Sequence, residues 1–588
     1  MRIAILNKDR CQPRRCSKEC EKYCPGVRTG DETIIFGDGG KPLISEELCV
    51  GCGICINKCP FKAIMIIGLP EIFQEPAHRY GSNGFVLFGL PVPRVGKVTG
   101  ILGPNGIGKS TCVQILSGSL IPNFGQEKGD WDTVLENYAG TALYDYFQAV
   151  VDGKVRVSQK PQYVDQIPKV FKGKTSELLE KTDERKVMDE LIDYLDLKGV
   201  IDRKISELSG GELQRVAIAA CAARDAQFYF FDEISPYLDI YQRINVARLI
   251  QKLSKDRAIL VIEHDLAILD MLADVVHIAY GKPTGFGVVT LPKSVRVGIN
   301  QYLKGYLPEE NIRIRPEAIK FEIHPPREDS QFKSMITFKG FSKKYGDGFS
   351  LEVAGGNLRE GEVLGIVGPN GIGKSTFVKV LAGEIKPEER DTEIEVKISY
   401  KPQYIKADTS VRVQDFLCGI TKRFGTSYYE AEISSPLQLE EIYDSLLTDL
   451  SGGELQRVAI AACLSQEAEI YILDEPSAHL DVEQRSMVTK VLNRFAENNQ
   501  KTALVVDHDI YMIDMLSQRL MVFEGKPSVY GEALGPFNME TGMNKFLKNL
   551  GITFRRDEET KRPRVNNLGS RLDREQKENG NYYYSASN

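Results

Sequence analysis

The nine residues Gly103-Pro104-Asn105-Gly106-Ile107-Gly108-Lys109-Ser110-Thr111 recur unchanged as Gly368-Pro369-Asn370-Gly371-Ile372-Gly373-Lys374-Ser375-Thr376. An apolar stretch precedes each copy, Val98 to Leu102 and Val363 to Val367, so each reads as a strand, a glycine-rich loop and a helix start. Glycines so placed let successive main-chain N–H groups close around phosphate oxygens at a helix N-terminus, where the dipole also favours an anion. On this reading Gly103, Asn105, Gly106, Gly108 and Thr111 build one phosphate cradle, and Gly368, Asn370, Gly371, Gly373 and Thr376 build a second. Lys109 and Lys374 reach the β- and γ-phosphates, and Ser110 and Ser375 bind Mg²⁺. One such match can arise by chance; two identical ones in a single chain do not.

Further along, Leu208-Ser209-Gly210-Gly211-Glu212-Leu213-Gln214-Arg215 recurs as Leu450-Ser451-Gly452-Gly453-Glu454-Leu455-Gln456-Arg457. Each is followed at the same interval by an apolar strand ending in two acids, Asp232-Glu233 and Asp474-Glu475. A carboxylate at the end of a buried strand can meet a metal beside the phosphate loop, and its neighbour, facing the other way, can accept a proton. Here the sequence resembles the ABC ATPase family over roughly residues 75–297 and 332–535. The resemblance implies that Asp232 and Asp474 hold Mg²⁺ and that Glu233 and Glu475 polarise the attacking water. It implies that Gln162 and Gln403, each within Lys-Pro-Gln-Tyr, sense Mg²⁺ and the γ-phosphate, that His264 and His508 are switch histidines, and that Asp239 and Asp481 belong to D-loops. Tyr80 and Tyr345, each 23 residues before the first P-loop glycine, fall where the family stacks an aromatic on adenine; a plain core or surface tyrosine is the alternative. Because the family builds each site from both halves, Lys109 is expected opposite Ser451 and Gly453, and Lys374 opposite Ser209 and Gly211. Two departures, Ile234 where the second half has Pro476 and Glu212 and Glu454 where the family usually has Gln, lead to an expectation of unequal turnover at the two sites.

Eight of the 12 cysteines lie before residue 60, as Cys11, Cys16, Cys20 and Cys24-Pro25, then Cys49, Cys52, Cys55 and Cys59-Pro60. The start, Met1-Arg2-Ile3-Ala4, leads into charged residues rather than the apolar core of a signal peptide, so a reducing, cytoplasmic setting is expected and a disulfide framework is not. Two-residue spacings let three thiolates converge on one cube, and the closing Cys-Pro turns the chain toward a second cube, as in bacterial ferredoxins. Two [4Fe–4S] clusters are expected, one on Cys49, Cys52, Cys55 and Cys24, the other on Cys11, Cys16, Cys20 and Cys59; zinc is the alternative. The remaining thiols, Cys112, Cys221, Cys418 and Cys463, read as inert.

The chain of 588 residues, 42% hydrophobic and 27% charged, is too long for one core and too apolar for global disorder. A net charge of −6 excludes a uniformly basic nucleic-acid coat, so nucleic-acid contact must use local patches. Such a patch exists in the first thirty residues, with Arg2, Lys8, Arg10, Arg14, Arg15, Lys18, Lys22 and Arg28. No apolar run approaches the roughly 20 residues that span a bilayer, and no membrane partner is expected. From Lys109 to Gln162 is 53 residues but from Lys374 to Gln403 only 29, which places an insertion near 130–151 that reads as helix, Ala-Gly turn, helix. Its aromatics Trp131, Tyr138, Tyr144, Tyr146 and Phe147 either pack on the nucleotide domain or form a docking element. The charged tail with Arg555, Arg556 and Lys561 to Arg564 reads as a solvated segment whose basic cluster suits phosphate.

The expected organisation is α/β: a ferredoxin-like Fe–S domain at 1–74, nucleotide-binding domains at 75–297 and 332–535, a hinge at 298–331, and a hinge and basic tail at 536–588. Fe–S runs, twin ATPase halves without a membrane segment, and the ending Arg571-Leu572-Asp573-Arg574-Glu575-Gln576-Lys577 resemble ABC subfamily E, the RNase L inhibitor family. That resemblance implies a monomeric, ATP-driven mechanical ATPase that binds the small ribosomal subunit and its rRNA and splits ribosomes after termination. The implied partners are a release-factor-type protein and initiation factors. From the residues alone, an Fe–S-dependent electron-transfer or assembly ATPase is the competing reading. A transporter subunit would need a membrane partner.

Overall fold

In the computed structural model, which describes residues 2–8, 10–37, 40–45, 48–68, 75–321, 334–346, 348–388, 396–403 and 410–583, both P-loops emerge from mostly parallel sheets. In the second half eight strands lie in the order Phe341–Tyr345, Phe349–Val353, Tyr530–Asn538, Arg519–Lys526, Val363–Val367, Thr502–Val506, Ile470–Asp474 and Ile398–Lys401. Val363–Val367 is parallel to both of its neighbours, and Ile470–Asp474 is parallel to both of its own. Helices cover the two faces, so these central strands are buried along their whole length and read as unbroken apolar runs. The first half repeats the plan: Val157–Lys160, Phe228–Asp232 and Ala258–Ile262 run parallel, as do Lys97–Leu102 and Val275–Lys282. Parallel strands share one carboxyl edge, which is where ligands bind in such sheets, and the P-loop and the Asp-Glu pair of each half leave from that edge together.

The N-terminal unit pairs Arg2–Leu6 antiparallel to Ile64–Gly68 and adds the hairpin of Ile34–Phe36 with Pro42–Ile44. Its small core combines Ala4, Leu6, Ile34, Ile44 and Ile64 with the buried Cys20, Cys24 and Cys55. Asn83 of the first half pins this unit in place. Its Nδ2 donates to the carbonyls of Ala4 (2.8 Å) and Ile44 (2.9 Å), and its Oδ1 accepts from the Ile44 N–H (2.8 Å). Asn83 sits at φ 56°, a left-handed conformation that asparagine tolerates better than most residues.

The insertion forms helices Trp131–Asn137 and Ala142–Val151, the first capped by Asp130, which accepts from the Thr133 N–H at 2.9 Å. Its aromatic face points inward: Phe147 is fully buried, Trp131 and Tyr138 pack on it, and the Tyr146 hydroxyl donates to the Leu116 carbonyl at 2.7 Å. The packing reading of these aromatics is met at Trp131, Tyr138, Tyr146 and Phe147.

The tail corrects its reading as a solvated, phosphate-seeking segment. Strands Phe554–Arg556 and Pro563–Val565 form a hairpin followed by helix Arg571–Glu578. Arg562 is fully buried and Arg564 forks onto Asp270 of the first half at 2.8 and 2.9 Å, while Arg556 forks onto Asp514 of the second half at 2.6 and 2.7 Å. The physical reason is that these two aspartates sit in the interior, where an unpaired charge is expensive, and the tail arginines are the cations that neutralise them. Asp557 of the same hairpin takes Arg296 and Asn300, so the tail also grips helix Val295–Lys304. That helix runs across the expected boundary at 297, and strand Tyr530–Asn538 runs across the one at 535.

Candidate functional site

Two cavities lie where the halves face one another. The first, ≈ 710 Å³, is lined by Gly106, Lys109, Ser110, Thr111, Gln162, Asp232 and Glu233 of the first half and by Ser451 and Gly453 of the second. The second, ≈ 1370 Å³, is lined by Asn370, Gly371, Lys374, Ser375, Thr376, Gln403, Asp474 and Glu475 with Ser209 and Gly211. Each P-loop thus faces the signature segment of the other half, as expected from the pairing. Helices Gly210–Ala223 and Gly452–Ser465 aim their N-termini at these cavities, and their capping serines accept from the Glu212 and Glu454 N–H groups. The contacts are reciprocal: the Asn370 N–H donates to Asp239 at 2.8 Å and the Asn105 N–H to Asp481 at 3.3 Å.

Within each loop the glycines are there for backbone reasons. Gly108 sits at φ 88°, and a Cβ on it would stand 2.7 Å from the Phe85 ring; a Cβ on Gly103 would stand 2.1 Å from the Ala279 carbonyl oxygen. The buried Lys109 ammonium curls back to the Gly103 (2.7 Å) and Pro104 (2.9 Å) carbonyls, and Lys374 does the same with Gly368 and Pro369, both at 2.7 Å.

Glu233 and Glu475 leave their strands at φ 51° and 48°, conformations that cost about 1–3 kcal/mol each and that cluster at functional sites. Gln162 Nε2 donates to Glu233 at 2.7 Å and Gln403 Nε2 to Glu475 at 2.6 Å. That orientation uses the amide nitrogen and leaves the amide oxygen for a cation. His264 Nε2 lies 3.7 Å from Glu233, and His508 Nε2 3.6 Å from Glu475. Burial, reinforced by Lys109 and Lys374 respectively, pulls both imidazoles well below the ordinary histidine range, so both are neutral. Burial, then the adjoining carboxylate, lifts Asp232 and Glu475 to about 7. Ser375 Oγ donates to Asp474 at 3.3 Å. Hydroxyl, amide and carboxylate oxygens gathered in this way are the hard donors that Mg²⁺ takes.

A further pair and a single aromatic escaped the sequence reading. Lys160 and Lys401 are fully buried, and their ammonium groups donate to the main-chain carbonyls of the acids: Lys160 to Asp232 and Glu233, both at 2.8 Å, and Lys401 to Asp474 at 2.6 Å and Glu475 at 3.3 Å. The signal available was that both precede Pro-Gln-Tyr in equal register. Phe349 is the second miss. Tyr80 lines the first cavity, its hydroxyl 3.3 Å from Thr111 Oγ1, but Tyr345 stays outside the second, 42% exposed against Phe349, which lines that cavity instead.

The eight N-terminal cysteines fall into two groups of four around separate small cavities: Cys24, Cys49, Cys52 and Cys55 at one, Cys11, Cys16, Cys20 and Cys59 at the other. Each group takes three thiols from one run and the fourth from the other. Among the described residues no three of His, Cys, Asp or Glu converge closely enough to hold a single ion. Burial pushes Cys20 up to about 12 and Cys55 to about 11 as free thiols, so both need a metal's charge to stay ionised.

The chain is similar to known proteins along its whole length. The family model described as ABC transporter matches residues 93–235 and 351–478, a possible Fer4-like domain in RNase L inhibitor matches 1–32, and a 4Fe-4S binding domain matches 42–65. ABC transporter E family member 1 of Arabidopsis thaliana is 46% identical over 99% of this chain and 98% of its own length. Translation initiation factor RLI1 of Saccharomyces cerevisiae is 44% identical, again over 99% and 98%. Among solved structures, a model of ribosome-bound archaeal Pelota and ABCE1 superposes with a TM-score of 0.95 at 51% identity, covering 100% of this chain and 99% of that one. The archaeal ribosome recycling factor aABCE1 in complex with the ribosomal stalk protein aP1 gives a TM-score of 0.83 at 52% identity, covering 88% and 100%.

Proposed function

Since the chain belongs to ABC family E, the RNase L inhibitor proteins with twin ATPase domains and a 4Fe-4S unit, we propose that it uses ATP to split ribosomes into subunits after termination. The observation that carries this reading is the composite build of both cavities, because ATP held between Lys109 and Ser451, and between Lys374 and Ser209, draws the halves together. The N-terminal unit, pinned to the first half through Asn83, is the body that such closure moves. The enzyme is an ATPase. Glu233 and Glu475 accept the proton of the attacking water, Gln162 and Gln403 hold those carboxylates in line, and the neutral His264 and His508 contact the γ-phosphate. Mg²⁺, held when bound by Ser110, Gln162 and Asp232 or by Ser375, Gln403 and Asp474, supplies charge to the phosphate oxygens. Two [4Fe–4S] clusters on the two cysteine groups brace the small N-terminal core.

The partners proposed are the small subunit with its rRNA, a release-factor-type protein of the Pelota kind, the ribosomal stalk and initiation factors, with the protein acting as a monomer. No helix among the described residues is long and apolar enough to cross a membrane, and a cytoplasmic location is proposed. The test is co-sedimentation with small subunits in sucrose gradients. Association in the presence of a non-hydrolysable ATP analogue that falls with rising salt is the expected result. No association in any nucleotide state would favour an electron-transfer ATPase instead.

A further inference from the structure

Between the two cavities, on the seam of the halves, six residues close a circuit that none of the P-loop, signature or D-loop motifs includes in full. Arg243, four residues after Asp239, donates through Nε to its own Leu238 carbonyl at 2.8 Å and through Nη1 to its own Asp265 at 2.7 Å. The same Nη1 reaches across the seam to the main-chain carbonyl of His508 at 3.3 Å. Arg485 repeats the pattern in the other direction: Leu480 carbonyl at 2.9 Å, Asp509 at 2.6 Å, and across the seam the His264 carbonyl at 3.3 Å. His264 adjoins Asp265 and His508 adjoins Asp509, so the path His264, Asp265, Arg243, His508, Asp509, Arg485 returns to its start. All four charged side chains are buried or nearly so, at 9% and 1% exposure for one pair and 13% and 5% for the other. Asp265 and Asp509 also cap the helices that follow the histidines, accepting from the Ile268 N–H at 3.1 Å and the Met512 N–H at 3.0 Å.

For each arginine, two of the bonds stay within its own half. The third exists only while the halves are apposed, and it lands on the backbone of the histidine facing the other half's phosphate site. A guanidinium has the planar fork needed to hold an anchor and a remote carbonyl at once; an ammonium on a flexible stem does not. We propose that Arg243 and Arg485 are positioning residues that couple the two ATP sites, each holding the backbone of the opposite half's switch histidine. The proposal rests on the two-site ATPase reading. Failure of that reading would appear separately, as turnover unaffected by Glu233→Gln or Glu475→Gln.

The test uses the full-length holoprotein in two backgrounds, E475Q, which leaves the first site active, and E233Q, which leaves the second. Into each go R243K, R485K and the pair, with turnover, fluorescent-ATP affinity and thermal unfolding measured on the same samples. Lysine keeps the charge beside Asp265 or Asp509 and removes the fork. In the E475Q background, R485K is expected to cut kcat by about tenfold, ~1.4 kcal/mol of barrier, with ATP affinity within about twofold. R243K should do the same in the E233Q background, and because opening the circuit at one arginine also loosens the other half's histidine, each single change should cost the other site a smaller loss as well. Because either change opens the one circuit, the pair should cost clearly less than the product of the singles. Effects that multiply independently would overturn the proposal, as would a loss shared equally by both sites and accompanied by a lowered melting temperature, the mark of a general structural role.

Discussion

Gln162 donates to Glu233 at 2.7 Å across 71 residues of sequence, and that bond fixes where a proton can be taken in the first site. The second site holds the same bond between Gln403 and Glu475. Glu233→Gln or Glu475→Gln removes the proton acceptor and leaves the phosphate cradle untouched. ATP binding should persist while hydrolysis at the altered site slows by about 10²–10⁴-fold. The double variant should accumulate as an ATP-bound form on rapid filtration, and near-normal turnover by it would remove these carboxylates from the mechanism.

The buried lysines make a second case. Lys160 and Lys401 hold the carbonyls on either side of the left-handed turn into Glu233 and Glu475. Methionine fills the same space without the donors. Lys160→Met should therefore lower kcat at the first site by about tenfold, ~1.4 kcal/mol of barrier, with ATP affinity retained. Unchanged kcat would reduce the lysine to packing.

A third expectation concerns the signature helices. Glu212 accepts from the Ser209 N–H at 2.7 Å and from its hydroxyl at 2.8 Å, and Glu454 does likewise with Ser451 at 2.9 and 2.7 Å, so a carboxylate occupies the serine that faces the opposite P-loop. Glutamine preserves this cap but not the charge. Glu212→Gln should tighten ATP at the second site, and Glu454→Gln at the first, by about two- to fivefold, matching the ~0.3–1 kcal/mol that a charge at a helix N-terminus contributes. Equilibrium binding in each single-site background measures it; weaker binding would contradict it.

The cysteine groups yield a fourth. Anaerobically purified protein should be brown and carry close to eight irons, since each group of four suits one four-iron cluster. Cys24→Ser should impair the cluster of Cys49, Cys52 and Cys55, and Cys59→Ser that of Cys11, Cys16 and Cys20, as resolved by Mössbauer and EPR spectra. Stoichiometric zinc with negligible iron would sink the assignment.

The interior ion pairs of the tail are open to the same kind of test. Asp270→Asn removes the buried carboxylate that Arg562 and Arg564 share, and breaking one partner of a buried pair typically costs ~3–5 kcal/mol. Denaturant unfolding should register that loss; a change below about 0.5 kcal/mol would place these groups with ordinary surface pairs.

What the sequence disclosed, and what it withheld, follows the range of the interactions. The P-loops, the signature segments and the cysteine runs were legible because their chemistry is set by neighbours a few residues apart. Helices Trp131–Asn137 and Ala142–Val151 were legible too, from the Ala-Gly turn between them. Arg562 and Arg564 were misread because their partner Asp270 lies about 290 residues away, and no local period marks a pairing of that span. Lys160 was passed over because lysine is almost never fully buried, and only the strand register brings its ammonium to two carbonyls. Tyr345 and Phe349 lie four residues apart across a strand turn, and which of them enters the cavity is decided by the hairpin.

The tail hairpin, gripping Asp270 on one side and Asp514 on the other, has a thermodynamic consequence. Two separate ATPase subunits must first find each other in solution and give up translational freedom to do so. Here both halves belong to one chain, a tether that holds them at an effective concentration in the millimolar range whatever the amount of protein in the cell, and the strap adds a second connection between them. The free energy of ATP binding is therefore not spent on assembly, and turnover per molecule should be independent of dilution.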